Sequence, residues 1–140
     1  MKEQPIIMTW PDHARLTKLL EEHRVLNPRS DRKAFEKLEK ELARAQLIAA
    51  QDIPADIITM DSKVQVFDLD LGDEYSITLS WPHEANVSEN RINVLAPLGM
   101  ALLGSRVGQK IEWPLPESIC RLKVIEILFQ PENSKACEAC

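Results

Sequence analysis

Cys137 and Cys140 stand three residues apart at the C-terminal end of the chain. A C-x-x-C pair supplies half of a tetrahedral zinc site, or one redox dithiol. Zinc needs two further ligands, and His13, His23 and His83 lie at no ligand spacing. The pair therefore reads as two exposed thiols on the tail "NSKACEAC". Cys120, inside an apolar run, reads as a small core residue. The pattern contains no P-loop, catalytic triad or metal-ligand cluster. It predicts no catalytic residue, no metal and no cofactor, and hence a protein that is not an enzyme.

The second chemical feature is a group of cations. Arg24, Arg29, Arg32 and Lys33 surround the turn signal Asn27-Pro28, with Asp31 as the nearby acid. Such a cluster cannot chelate a divalent cation, which wants several carboxylate or carbonyl oxygens. Charge is also segregated along the 140 residues. Positions 1–50 hold ten Lys/Arg against eight Asp/Glu, and positions 51–140 hold seven against fourteen, for a net −5 overall. This asymmetry predicts two parts with different surroundings. The overall acidity argues against nucleic acid as a direct ligand, because phosphate binding runs on clustered cations. A protein partner fits better. No apolar run approaches the roughly 18 residues that span a bilayer. Pro5, Pro11 and charges interrupt any N-terminal signal core. The expected location is cytoplasmic, without a membrane.

The elements that carry these groups change period near residue 52. Thr9 with Asp12 reads as a helix N-cap, and Leu16, Leu19 and Leu20 recur at helical spacing. A first helix is expected over Pro11–Arg24, about 20 Å long at 1.5 Å per residue. After the Asn27-Pro28 break, Ser30 or Asp31 caps a second helix. Its stripe Phe35, Leu38, Leu42, Ala45 and Ala49 steps 3, 4, 3, 4, which is a heptad, and the helix is expected to reach about Ala50. The pair reads as an antiparallel two-helix hairpin, a short coiled coil, over residues 1–52, with Arg29, Arg32 and Lys33 at its tip.

From residue 53 to 132 the pattern alternates. "QDIPADI" reads as a linker. "KVQVFDL" and "EYSITLS" form an antiparallel hairpin about Gly72-Asp73, and "RINVL", "KIEWPL" and "ICRLKVIEILF" complete four or five strands. In the last of these, Cys120, Leu122 and Val124 share one face while Ile125, Ile127 and Phe129 share the other. Either a bulge shifts the phase or both faces are partly covered. Between the third strand and the next, Pro97 starts a short helix with Leu98, Ala101 and Leu102 at helical spacing. Gly104 stops it and Gly108 turns into the strand, both by access to positive φ. Trp10, Trp81 and Trp113 each precede proline, through bonds read as trans. The fold class is α+β: a helical hairpin, then an antiparallel sheet domain with one short helix, then a flexible tail over 133–140.

The run Ile92-Asn93-Val94-Leu95-Ala96-Pro97, continuing "LGMALLGSRVGQKIEWPLP" to "LKVIEILFQP", resembles the C-terminal domain of the GreA/GreB transcript-cleavage factors. With the "IPADIITMDSKVQV" segment and the "WP" after the second strand, it more closely resembles a shorter branch of that family, the regulators of nucleoside diphosphate kinase. The likeness extends from about Ile6 to Pro131 and is strongest over Val94–Lys110. It implies an FKBP-like sheet domain that docks on RNA polymerase at the rim of the secondary channel. The Gre docking loop, Asp-Ser-Pro, falls on Leu95, Ala96 and Pro97, with Leu98 beside them, and only the proline is shared. Gre factors carry paired acidic residues at a longer coiled-coil tip, which help hold a catalytic magnesium. Here the hairpin is short and its tip is basic. The implied activity is polymerase binding in competition with Gre-type factors, without transcript cleavage. The alternative is an effect on nucleoside diphosphate kinase level, direct or through transcription. Prolyl isomerase activity does not follow from an FKBP-like fold, and the five aromatics Phe67, Tyr75, Trp81, Trp113 and Phe129 are few for such a pocket.

Overall fold

The computed structural model describes residues 5–26, 32–114 and 118–132. Cys137, Cys140 and Arg29 lie outside them, as do the side chains of Arg24, Arg32, Lys33 and Trp113. The chain divides into two compact units, Met1–Ile53 and Pro54–Cys140. Among the described residues no helix is long and apolar enough to cross a membrane, and no peptide bond is cis.

The first unit runs β1 (Ile7–Thr9), α1 (Trp10–Leu26), α2 (Arg32–Ala43) and β2 (Gln46–Ile48). Thr9 caps α1, its Oγ1 accepting from the Asp12 amide at 3.4 Å. Leu16 and Leu20 of α1 and Leu38 and Leu42 of α2 are buried, the stripe that an amphipathic pair must hide. The helices run antiparallel: His13 meets the Leu42 carbonyl at 2.8 Å, and the His23 ring lies 4.5 Å from that of Phe35. A carbonyl only accepts, so Nε2 of His13 carries the proton in this bond.

One expectation needs correction here. Helix α2 does not reach Ala50 but ends at Ala43, and Gln46–Ile48 instead pairs in parallel with Ile7–Thr9. The Gln46 amide donates to the Ile6 carbonyl at 2.8 Å, opening this ladder. Ala45 and Ala49, the last two members of the heptad, are only half-buried. Alanine offers little apolar area to hold a helix against a competing strand. The strand β1, with buried Ile6 and Met8 around it, was missed because three residues are too few to establish a period.

The second unit holds β3 (Lys63–Asp68), β4 (Glu74–Ser80), β5 (Arg91–Asn93), α3 (Pro97–Leu102), β6 (Lys110–Pro114) and β7 (Ile119–Phe129). The five strands lie in the order β5-β4-β3-β7-β6. The sheet is mixed rather than antiparallel, because β5 pairs in parallel with β4, Thr78 opposite Arg91 and Ser80 opposite Asn93. Two 3-10 turns, Pro82–Glu84 and Val87–Glu89, return the chain for that pairing. The expected β3–β4 hairpin forms, with Asp68 Oδ1 taking the amides of Asp70 and Leu71 and Gly72 at φ +77°.

Val64, Val66, Ile77, Leu79, Leu122 and Val124 are buried, as alternation requires of a sheet with one covered face. In β7 the two open alternatives resolve in favour of bulges. Val66 faces Val124, Gln65 faces Glu126, Val64 faces Ile127 and Lys63 faces Phe129. Ile125 and Leu128 are the extra residues, and both are exposed.

Within the segment read as a linker, residues 51–57, Ile53 and Ile57 are buried, and Ile58, Thr59 and Met60 that follow it are buried as well. Their backbone is pinned by the end of β7, where Gln130 Nε2 donates to the carbonyls of Pro54 at 2.9 Å and Ile57 at 2.7 Å. Thr59 Oγ1 donates to Glu132 at 2.6 Å, which leaves Ser62 Oγ to donate to Thr59 Oγ1 and to accept from the Thr59 amide, both at 3.0 Å.

Two measurements check this account. Gln130→Leu strips two carbonyls of their donor and lowers stability by about 2 kcal/mol in urea unfolding, since a buried unsatisfied group costs about 1–3 kcal/mol. Gln130→Glu, with an acceptor in the same place, is at least as damaging. Tyr75 has its pKa raised above 10.0, first by burial and then by the charges of Asp68 and Cys120. The folded state thus keeps the phenolic proton to higher pH than the unfolded chain. Stability is therefore retained below about pH 10 and falls as pH rises through the folded pKa. Tyr75→Phe flattens this alkaline slope in unfolding curves recorded between about pH 9 and about pH 11.

Candidate docking surface around the short helix

Leu95, Ala96, Pro97 and Leu98 form one continuous turn from the end of β5 into α3. Asn93 builds it. Its Oδ1 accepts from the Leu95 amide at 2.9 Å, and its carbonyl accepts from the Ala96 amide at 2.9 Å. This is the side-chain mimicry of a turn for which asparagine is suited. Val94, fully buried, is tied to β4 through the Ser80 carbonyl at 2.9 Å. Ala96 is extended, φ −73° and ψ 153°, and Pro97 occupies the first helical turn, where its missing N–H is no loss.

Six residues cannot hold a helix by themselves. Helix α3 is held by its surroundings. Leu102 and Leu103 are buried. Gly104 takes φ +79° and its amide donates to the Ile58 carbonyl at 2.9 Å, while the Ile58 amide donates to the Ser105 carbonyl at 2.8 Å. Ser105 Oγ returns to the Ala101 carbonyl at 2.8 Å. Gly108, at φ +91°, donates to the Val124 carbonyl at 2.8 Å, which carries the chain into β6. A Cβ at Gly108 would meet nothing within 4 Å, so conformation, not space, selects glycine there.

Gly99 is the residue that the sequence reading passed over. It is buried, and a Cβ there would overlap the Asn93 carbonyl oxygen and stand 2.8 Å from the Val94 Cα. The helix lies directly on the backbone of the turn that precedes it. A glycine inside a helical pattern is a signal of such close approach, and it was legible as that.

What this geometry presents is apolar and uncharged. Pro97 is exposed, and Leu95, Ala96 and Leu98 are half-buried. None of the four titrates, donates a side-chain hydrogen bond or binds metal. The turn can bury area against a partner at roughly 25 cal/mol per Å² and do little else. Leu98 and Ala101 thus divide between packing and surface, whereas Leu102 is core.

The other groups singled out by sequence do not converge. His13 bonds to α2, His23 packs on Phe35, and His83 faces Glu84 at 3.6 Å. Among the described residues no group of His, Cys, Asp and Glu could hold a metal ion. The aromatics are split by the pleat. Tyr75 lies opposite buried Val66, whereas Phe67 and Phe129 share the alternate register with Lys63 and Gln65. Of the tip cations, Arg32 and Lys33 stand on the first turn of α2.

Comparison with known proteins agrees with this layout. Residues 53–129 match the family model "Transcription elongation factor, GreA/GreB, C-term", and residues 4–48 match "Rnk N-terminus". The chain is 41% identical over 96 residues to "Regulator of nucleoside diphosphate kinase" of Escherichia coli (strain K12), covering 68% of this chain and 71% of that one. It is 29% identical over 133 residues to "Transcription elongation factor GreA" of Thermodesulfovibrio yellowstonii, covering 91% and 84%. Among solved structures, "Prokaryotic transcription elongation factor GreA/GreB from Nitrosomonas europaea" superposes with a TM-score of 0.76 at 34% identity, covering 91% of this chain and all of that one.

The close approach at Gly99 is directly testable. Gly99→Ala forces α3 off the turn and costs about 3 kcal/mol, the upper end of ordinary overpacking, because the obstacle is backbone. Thermal unfolding reads the loss. Pro97→Ala, at an exposed position, leaves the midpoint nearly unchanged.

Proposed function

The chain belongs to the GreA/GreB transcription elongation factor family, and from that membership we propose that it is a non-enzymatic regulator that binds RNA polymerase near the secondary channel. In this reading it competes there with Gre-type factors and does not stimulate transcript cleavage. Residues 53–132 serve as the docking domain, FKBP-like in the family's manner, with Leu95, Ala96, Pro97 and Leu98 as the contact. The observation that carries the reading is the rigid apolar turn at Ala96-Pro97, at the positions of the family's docking loop. Its affinity comes from burying the proline and its neighbours, since the Asp and Ser of the Gre loop are replaced by Leu95 and Ala96.

The absence of cleavage rests on reach and charge. Helix α1 has 17 residues and α2 has 12, or about 25 Å and 18 Å at 1.5 Å per residue. In the sequence the hairpin tip offers Arg29, Arg32 and Lys33 where a cleavage factor offers carboxylates. A cation-ended pair of short helices, packed as a minimal coiled coil, flanks a pore without delivering a metal ion into it. The division of the aromatics between two registers of the sheet speaks against a prolyl isomerase pocket. The protein works in the cytoplasm, with the polymerase.

A second reading is favoured by the name of the 41% identical relative: control of nucleoside diphosphate kinase level. Kinase activity measured with added pure protein, set beside kinase transcript abundance in cells, separates direct action from action through transcription.

The deciding experiment is capture of core polymerase by the tagged chain, with a Gre factor as competitor. Binding at micromolar concentration or below, displaced by the competitor, is expected. Ala96→Arg weakens it at least tenfold, about 1.4 kcal/mol, at an unchanged unfolding midpoint. Stalled complexes keep their RNA length. Failure to bind, indifference to the competitor, or shortening of the nascent RNA overturns the reading.

A further inference from the structure

An open cleft of about 270 Å³ lies among Lys63, Thr78, Ser80, Arg91 and Phe129, with Asp61 and Glu84 also on its wall. The register of the sheet explains why these side chains meet. Phe129 of β7 lies opposite Lys63 of β3, Lys63 opposite Thr78 of β4, and Thr78 opposite Arg91 of β5. Residues in register share a face, so four side chains stand in one row across four strands. Adjacent strands are about 4.8 Å apart, which puts Lys63 and Arg91 about 10 Å apart at their Cα atoms with Thr78 between. Both long side chains can close on one small group above that threonine. Ser80, two residues along β4, occupies the next position on the same face.

The hydrogen-bonding state of the cleft has a sign. Lys63 makes no ion pair or side-chain hydrogen bond with any described residue, and neither does the hydroxyl of Thr78. Ser80 forms part of the cleft wall, and its hydroxyl, open to the cleft, has no partner among the described residues. Arg91 uses Nε toward Glu89 at 3.6 Å, which leaves its terminal amino groups directed elsewhere. Glu84 is already faced by His83 at 3.6 Å. What stands ready is a set of donors, two of them cationic, beside the carboxylates of Asp61 and Glu84.

We infer that this cleft is a binding site for a phosphate monoester, its oxygens held by Lys63, Arg91, Thr78 and Ser80 and its organic part set against the exposed Phe129 ring. A monoester carries a charge of about −1.5 to −2 at neutral pH and three strong acceptor oxygens. That matches two cations and two hydroxyls better than the single charge and two oxygens of a carboxylate. Asp61 and Glu84 on the same wall repel additional anionic charge, which disfavours diphosphates and leaves a neutral organic remainder. Phe129 is 46% exposed, a flat apolar surface suited to a ring. The inference does not rest on polymerase binding, because its side chains, Lys63, Thr78, Ser80, Arg91 and Phe129, are not those of the turn from Leu95 to Leu98.

The test is an amide NMR titration of the full chain, in phosphate-free buffer at constant ionic strength, with phenyl phosphate, inorganic phosphate, pyrophosphate and benzoate. Phenyl phosphate is expected to give saturable shifts at Thr78, Ser80 and Arg91, with a dissociation constant of about a millimolar or below. Lys63→Gln and Arg91→Gln, both at exposed positions, each weaken it at least fivefold without moving the unfolding midpoint. Phe129→Ala removes the advantage of phenyl phosphate over inorganic phosphate. No saturable shift, shifts unaltered in both charge variants, or benzoate or pyrophosphate binding as tightly as phenyl phosphate overturns the assignment.

Discussion

Helix α3 rests on bare backbone. The carbonyl of Asn93 and the Cα of Val94 occupy the space in which any side chain at position 99 would have to stand. The contact exists only because that residue is glycine. Much of the second unit follows from it. With the helix at this depth, Leu102 and Leu103 reach the core, and Gly104 arrives where the Ile58 carbonyl can take its amide. The preceding turn is clamped between Asn93 and Pro97, and the chain emerges beside Val124 to start β6. A six-residue helix has no cooperative stability of its own. Its shape, and that of the surface it carries, is on loan from these neighbours.

The sheet beneath does two separate things with its two faces. One face is closed by aliphatic side chains and supplies the burial that holds the unit together. The other presents charge and hydroxyls in rows set by strand register, which is how residues as distant in sequence as Lys63, Thr78, Arg91 and Phe129 meet at one cleft. The two bulges in β7 matter to both faces. They turn Ile125 and Leu128 outward and let Gln130 arrive in phase to hold the Pro54 and Ile57 carbonyls. Surface and core are thus coupled through one long strand.

In the first unit the decisive competition is between helix and strand for residues 44–48. The helical alternative offers two alanines to the hairpin seam. The strand alternative offers a ladder to Ile7–Thr9 and partial burial of Leu47 and Ile48. The ladder wins, and α2 stops at Ala43. The consequence is a hairpin of limited length, and limited length is what separates the proposed activity from that of a cleavage factor.

The local signals were readable in the chain itself. Thr9 capping α1, the stripe Leu38 and Leu42, the β3–β4 hairpin at Gly72, the start of α3 at Pro97 and its stop at Gly104 each depend on a few adjacent residues. Their physics is that of turns, caps and amphipathic periods. The turn from Leu95 into α3 was legible too, from Pro97 and the helical spacing after it. Other features required the folded neighbours: the parallel pairings of β1 with β2 and of β4 with β5, the choice between bulge and two-sided burial in β7, the burial of Ile57 to Met60, and the cleft at Ser80. A strand does not encode in its own alternation which strand lies beside it, or in what direction. A glycine such as Gly99 shows that something passes close but not what. Sequence determined the faces of the elements. Tertiary contact decided which faces met, because that choice depends on free energies shared between residues far apart in the chain.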